Sequence, residues 1–152
     1  MRYFIFFALW GLLVVHKGED AQLLNVAPQK TQEEYDIHSI ELKVYLWRDF
    51  QPIAPPKGKP LRVKVQITVP DSISPSSLEI EKLMLIHKND TVTVDKDEFA
   101  NSLERLPDGV RVVWRQGPYW SPNEFVDVWV WLRVGEKQIK KVARRQKIHA
   151  TF

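Results

Sequence analysis

There is no cysteine among the 152 residues, and no apolar run long enough to cross a bilayer. The first absence excludes a disulfide framework, thiol catalysis, a cysteine-ligated metal and an acylated-cysteine anchor, so the fold must rest on its core alone. The second sets the reading of the N-terminus. The run from Phe4 to Val15 is twelve residues, whereas a spanning helix needs about 20. Glycine is also scarce, with six in the chain, which leaves proline, aspartate, asparagine and serine to make most turns.

Catalytic spacing is lacking as well. No serine sits in a G-x-S-x-G elbow, and His38, His87 and His149 stand too far apart for the H-E-x-x-H pattern that lets one element present two metal ligands. Asp95, Asp97 and Glu98 open like a calcium loop, but Phe99 and Ala100 occupy the positions where an oxygen ligand and a glycine are required. No catalytic, metal or cofactor residue is therefore assigned. The chain reads as non-enzymatic, with no cofactor.

What is present begins with an export signal. Arg2, the apolar run and the polar segment HKGEDAQ follow the order of a secretory signal over residues 1–21. The expectation is an extracytoplasmic protein, periplasmic or secreted, without a stable membrane span once the signal is cleaved. An uncleaved anchor is the alternative, because a cut after Ala21 or Gly18 places Glu19 or His16 where a small residue is preferred. Residues 22–39 carry few apolar side chains and no sustained period, which suits a linker or mobile arm. Residues 40–152 make one domain. The full chain's net charge of +3 and pI near 9.1 are too weak and too mixed to imply nucleic acid without a clustered patch.

Within that domain the strongest pattern is FVDVWVWLRV, Phe125 to Val134, where Val126, Val128, Val130, Leu132 and Val134 fall on every second position. That is a strand with one aliphatic face. Ile40–Trp47 and Leu61–Val69 alternate in the same way, separated by the proline-rich QPIAPPKGKP, which excludes helix and ladder pairing. Leu78–His87 fits strand or short helix by period. Strand is preferred because turn clusters bound it, Asn89 and Asp90 suit a hairpin tip, and TVTV reads as the returning strand. Asp95–Leu106 suits a loop or single helical turn, Val110–Gln116 a strand, and Lys137–Phe152 a terminal strand at a sheet edge.

Seven strands joined by short turns predict an all-β domain, a single antiparallel β-sandwich. On strand number and spacing, residues 40–152 resemble the immunoglobulin-like superfamily, although the Cys, Trp, Cys core of true immunoglobulin domains is absent. The ending KKVARRQKIHATF is similar to the last strand of small uncharacterised exported bacterial proteins. The resemblance implies a sandwich and brings no activity with it.

Two candidate binding surfaces follow. Trp120, Trp129 and Trp131 lie close in sequence on a strand and the turn leading into it, so their indoles form a candidate aromatic face, with burial in the core as the rival. Lys140, Lys141, Arg144, Arg145 and Lys147 form a candidate anion patch for phosphate, anionic glycan or acidic headgroups. Its rival is a charged edge strand that blocks aggregation. The expected function is a binding or interaction domain with an unknown protein or surface glycan as partner. The alternative is a carbohydrate-binding module using the aromatic face.

Overall fold

In the computed structural model, which describes residues 36–152, the patterned segments form eight strands. They are β1 (Glu41–Asp49), β2 (Arg62–Thr68), β3 (Leu78–His87), β4 (Asp90–Asp95), β5 (Glu104–Leu106), β6 (Gly109–Trp114), β7 (Phe125–Val134) and β8 (Lys137–Thr151). A single helical turn, α1 (Lys96–Phe99), precedes β5. The signal expected over residues 1–21, and most of the arm, lie outside the described residues. The end of the arm is placed: Ile37–Ser39 form a turn of 3-10 helix, capped where the Asp36 carboxylate accepts from the His38 N–H at 3.2 Å, and Ile37 packs against the core.

The all-β class holds, but the antiparallel seven-strand sandwich does not. All eight strands belong to one curled sheet of order β4-β3-β7-β8-β1-β2-β6-β5. Neighbours are antiparallel except β1 and β8, which run parallel from the Leu46↔Ile148 pair to the Asp49↔Thr151 pair. Two physical facts account for the difference. Alternation reports which side chains are buried and carries no information about strand direction. The extra strand, β5, has three residues, two of them charged, and is too short to show a period.

β8 is the second correction, because the terminal strand lies in the middle of the sheet and not at its edge. Its first part pairs with β7 and its last four residues with β1. Of its fifteen residues only Ile148 is fully buried. Central position in a ladder and side-chain burial are separate properties, and charge on both faces was evidence only about the second.

A bulge lets β8 change partners. Val126 faces Gln146 while Val128 faces Ala143, so Asp127 stands opposite two residues, Arg144 and Arg145. Asp127 fills the broken ladder, with one carboxylate oxygen accepting the Arg145 N–H at 2.7 Å and the other 3.5 Å from the Arg144 guanidinium. Arg145 takes a φ of 51°, the positive value that such an irregularity favours. A second bulge, at Glu81, explains why β3 looked ambiguous. Its buried residues Leu78, Ile80, Leu83 and Leu85 change from a spacing of two to three and back, and the extra residue absorbs the slip.

The curled halves enclose one apolar core. Val126 to Val134 of β7 supply its centre, with Leu78, Ile80, Leu83 and Leu85 from β3 beside them. Val63, Val65 and Ile67 of β2 and Val110 and Val112 of β6 complete it from the other half. Each such side chain contributes about 1.5–3 kcal/mol by leaving water.

Candidate functional site

The outward side of β7 carries Phe125, Asp127, Trp129, Trp131 and Arg133, because its inward side is wholly aliphatic. Trp129 and Trp131 are half-buried there, with centroids 6.0 Å apart and rings inclined at 38°. Neither ring face is open. The Lys140 ammonium lies 4.3 Å from the Trp129 centroid, and that of Lys82 lies 4.2 Å from the Trp131 centroid. Register produces both contacts, since Lys140 and Lys82 flank Trp131 directly on β8 and β3. The Trp129 Nε1 is buried and has no hydrogen-bond partner among the described residues. Beside Trp131, Glu81, Lys82, Asp95 and Gln138 line a shallow depression of about 330 Å³.

Trp120 does not join this face. Its indole N–H donates to Asp90 at 2.9 Å, and its ring packs 4.7 Å from that of His87. The expected three-tryptophan platform is therefore a pair, with the third indole pinned over the β3–β4 hairpin.

Beneath Trp120 lies a small ionic cluster. His87 is buried, and its Nε2 lies 2.8 Å from a Glu124 oxygen but off the line of a hydrogen bond. The other Glu124 oxygen accepts from Lys88 at 2.5 Å. That hydrogen bond holds the Glu124 carboxyl below its usual range, against the opposing effect of desolvation. Asp49 is lowered too, first by the Gln51 N–H it accepts and also by Lys59. A carboxylate whose folded pKa is depressed stabilises above its unfolded pKa, and the contribution disappears as pH falls through the folded value. Thermal melts should therefore drop as pH goes below about 4. Glu124→Gln should fall less between neutral and acid pH than the unaltered protein. An equal fall in both would show that the cluster adds nothing.

The anion patch is also redistributed. Lys140 covers Trp129, whereas Lys141 faces Val130 on the inward side of the strand, at the half-buried margin of the core. Arg144 is drawn to Asp127, Arg145 lies 5.1 Å over the Phe125 ring, and Lys147 is exposed beyond the bulge. The five cations occupy two faces and a bend. They do not form one patch.

Sequence reasoning passed over a second aromatic set. On the outward side of β1, Tyr45 lies opposite Lys64 and Trp47 opposite Arg62, with ammonium and guanidinium 5.5 and 5.9 Å from the respective ring centroids. His149 of β8 stacks on Tyr45 at 4.9 Å and 14°. The signal was present in part. Tyr45, Trp47, Arg62 and Lys64 all sit on polar faces of two consecutive alternating strands. His149 enters through the parallel β1–β8 pairing, which has no counterpart in the pattern.

Arg48 was also missed. It is 5% exposed and reaches no carboxylate; its guanidinium donates to the carbonyls of Lys57, Lys59, Tyr119 and Trp120. Desolvation lowers its pKa. Asp95 and Glu98, weighed as calcium ligands, instead cap α1: Asp95 is its N-cap and Glu98 lies within it, where Glu98 Oε1 accepts the Asp95 N–H at 3.2 Å. Among the described residues no three or more histidines and carboxylates converge as a metal site, and no helix is long and apolar enough to cross a membrane.

The chain matches no family model, no curated protein and no solved structure.

Proposed function

We propose that the chain is a non-enzymatic extracytoplasmic binding domain that engages a protein or a surface through the outward faces of its sheet. The leader-like N-terminus and the resemblance to small exported proteins support the location. The observation that carries the binding reading is the dressing of both halves with partly exposed rings layered by cations: Trp129 and Trp131 under Lys140 and Lys82, Tyr45 and Trp47 beside Lys64 and Arg62. Tryptophan, tyrosine and arginine side chains held on a flat surface are the groups enriched among those that dominate interface energetics. A tagged full chain should retain a partner from envelope extract. Replacing Trp129 and Trp131 together by alanine should cut recovery at least about tenfold, the loss expected when an anchoring aromatic is truncated. Failure to enrich anything, with the variant indistinguishable, counts against the reading.

The depression beside Trp131 favours a second reading, a carbohydrate-binding module, because an indole flanked by Glu81, Asp95 and Gln138 offers both a ring and hydrogen-bonding groups. Lys82 must then leave the ring as the sugar arrives. Neutral polysaccharide should shift the tryptophan fluorescence in the unaltered protein and not in Trp131→Ala. A flat titration removes this reading.

A further inference from the structure

We infer that the outward face of β1, β2 and the last part of β8 binds an acidic polysaccharide, a sugar chain bearing carboxylate or sulfate groups; the inference rests on the binding-domain reading. Arg62 and Lys64 project from one side of β2, two residues apart, which sets them about 6.8 Å from each other along the strand. Lys147 and His149 are spaced likewise on β8, on the other side of β1. The aromatic row of Tyr45 and Trp47 runs between them. Arg62 and Lys64 on one flank and Lys147 on the other thus border one ring row, at about 4.8 Å per strand step, and a linear polyanion lying along β1 meets positive charge on both flanks.

The charges are free to be used. Among the described residues, Arg62, Lys64, Arg145 and Lys147 have no carboxylate within ion-pair distance, whereas Glu41 and Glu104, on the same half of the sheet, are taken by Lys43 and Arg111 at 3.7 and 2.9 Å. Asp49, which feels Arg62 at longer range, is bound by Lys59 at 3.3 Å. The rings also hold the cations in place, since a guanidinium or ammonium against an aromatic face has fewer positions to lose on binding.

The same geometry selects among polyanions. Single-stranded nucleic acid binds by stacking bases on open aromatic faces, but Tyr45 is occupied by Lys64 on one side and His149 on the other. A bilayer is gripped by apolar side chains that enter it. Here the rings of β1 lie among the cations, with Tyr45 39% exposed, and the more exposed Phe125 and Phe152 stand apart from each other at the rim, beside Lys147 and after Thr151. A neutral sugar lacks the charge that both flanking rows would answer. A polymer read by its anionic groups, and fitted against ring edges, satisfies all three constraints.

The test uses the full chain with heparin as a sulfated probe and alginate as a carboxylated one. Dextran, a single-stranded oligonucleotide and phosphatidylserine vesicles serve as comparators. Binding to heparin or alginate should be detectable at about 0.15 M salt and weaken steeply above it. It should fall more than about tenfold in Arg62→Glu with Lys64→Glu, and in the milder Arg62→Gln with Lys64→Gln. The control pair Lys96→Glu with Lys137→Glu makes the same change in net charge away from this face and should lose less than about twofold. Equal loss in control and test pairs reduces the effect to net charge and overturns the site. Tighter binding to the oligonucleotide, or retention by vesicles alone, overturns the choice of ligand. If the tagged chain recovers a protein partner but neither polysaccharide binds, this inference fails and the binding-domain reading stands. Failure of both assays removes both.

Discussion

Gly109→Ala should cost about 3 kcal/mol or more, the largest loss expected from adding a single methyl group to this protein. Gly109 opens β6 opposite Thr68, where β2 and β6 approach so closely that an added Cβ would lie 1.8 Å from the Ile67 carbonyl oxygen and 2.9 Å from its carbon. The obstacles are backbone atoms of a paired strand, so no rotamer change relieves them. The strands must separate. Separation strips hydrogen bonds from one end of the β2–β6 ladder and draws Ile67 and Val110, both fully buried, away from the core. Gly135 provides the comparison, since its demand is conformational. At the β7–β8 turn it holds a φ of 58°, and alanine there should cost about 1–2 kcal/mol for the left-handed backbone alone. Urea unfolding of the two variants against the unaltered protein checks the ranking. A Gly109→Ala loss no larger than that of Gly135→Ala would mean that the β2–β6 contact yields more readily than its geometry implies.

How much of this architecture was legible depends on which physical property each element left in the pattern. β2 and β7 were readable almost to the residue, because five aliphatic side chains on every second position admit one periodicity and one buried face. β3 was readable as a strand only through its neighbours, since the bulge at Glu81 inserts a helical-looking step between Ile80 and Leu83. The path of β8 was not readable. Its assignment to an edge rested on charge, and the features that route it between β7 and β1 are an aspartate side chain on β7 and one residue of positive φ, neither of which has a compositional mark. The candidate surfaces divide in the same way. Trp129 and Trp131 fall on one face because they share the phase of one strand. Trp120, in a loop, had no phase to place it. The Tyr45 and Trp47 set required the register of β1 against β2 before its cations could be seen, and the register of β8 before His149 could.

Arg48→Ala should destabilise the protein by about 3 kcal/mol, and the effect arises from loops rather than from the core. The guanidinium gathers carbonyls from two connections that otherwise have little regular structure: Lys57 and Lys59 from the proline-rich segment between β1 and β2, and Tyr119 and Trp120 from the segment between β6 and β7. Phe50 and Tyr119 cover it, with centroids 5.0 and 5.1 Å from the guanidinium carbon. A buried cation without a carboxylate is stable only if dipoles and ring faces replace its water, and here four carbonyls and two rings do so. Removing it leaves those carbonyls facing a cavity and releases both loops together. Arg48→Lys keeps the charge but has one nitrogen where the site needs a planar fork, so it should recover less than half of the loss. The two effects separate by measurement. Denaturant midpoints report the global loss, while limited trypsin digestion reports the loop, since the Lys57–Gly58 bond should become sensitive to cleavage at denaturant concentrations where the sheet is still intact. A loss below about 1 kcal/mol with unchanged cleavage would mean that the loops hold their shape without the arginine. A loss of the expected size with cleavage confined to the Lys57–Lys59 segment would identify Arg48 as the group that fixes the loops beside the Tyr45, Trp47 and His149 face. Because Trp47 immediately precedes Arg48 and Phe50 lies two residues beyond it, the same variant should also loosen that face and weaken whatever binds there, without touching a single surface cation.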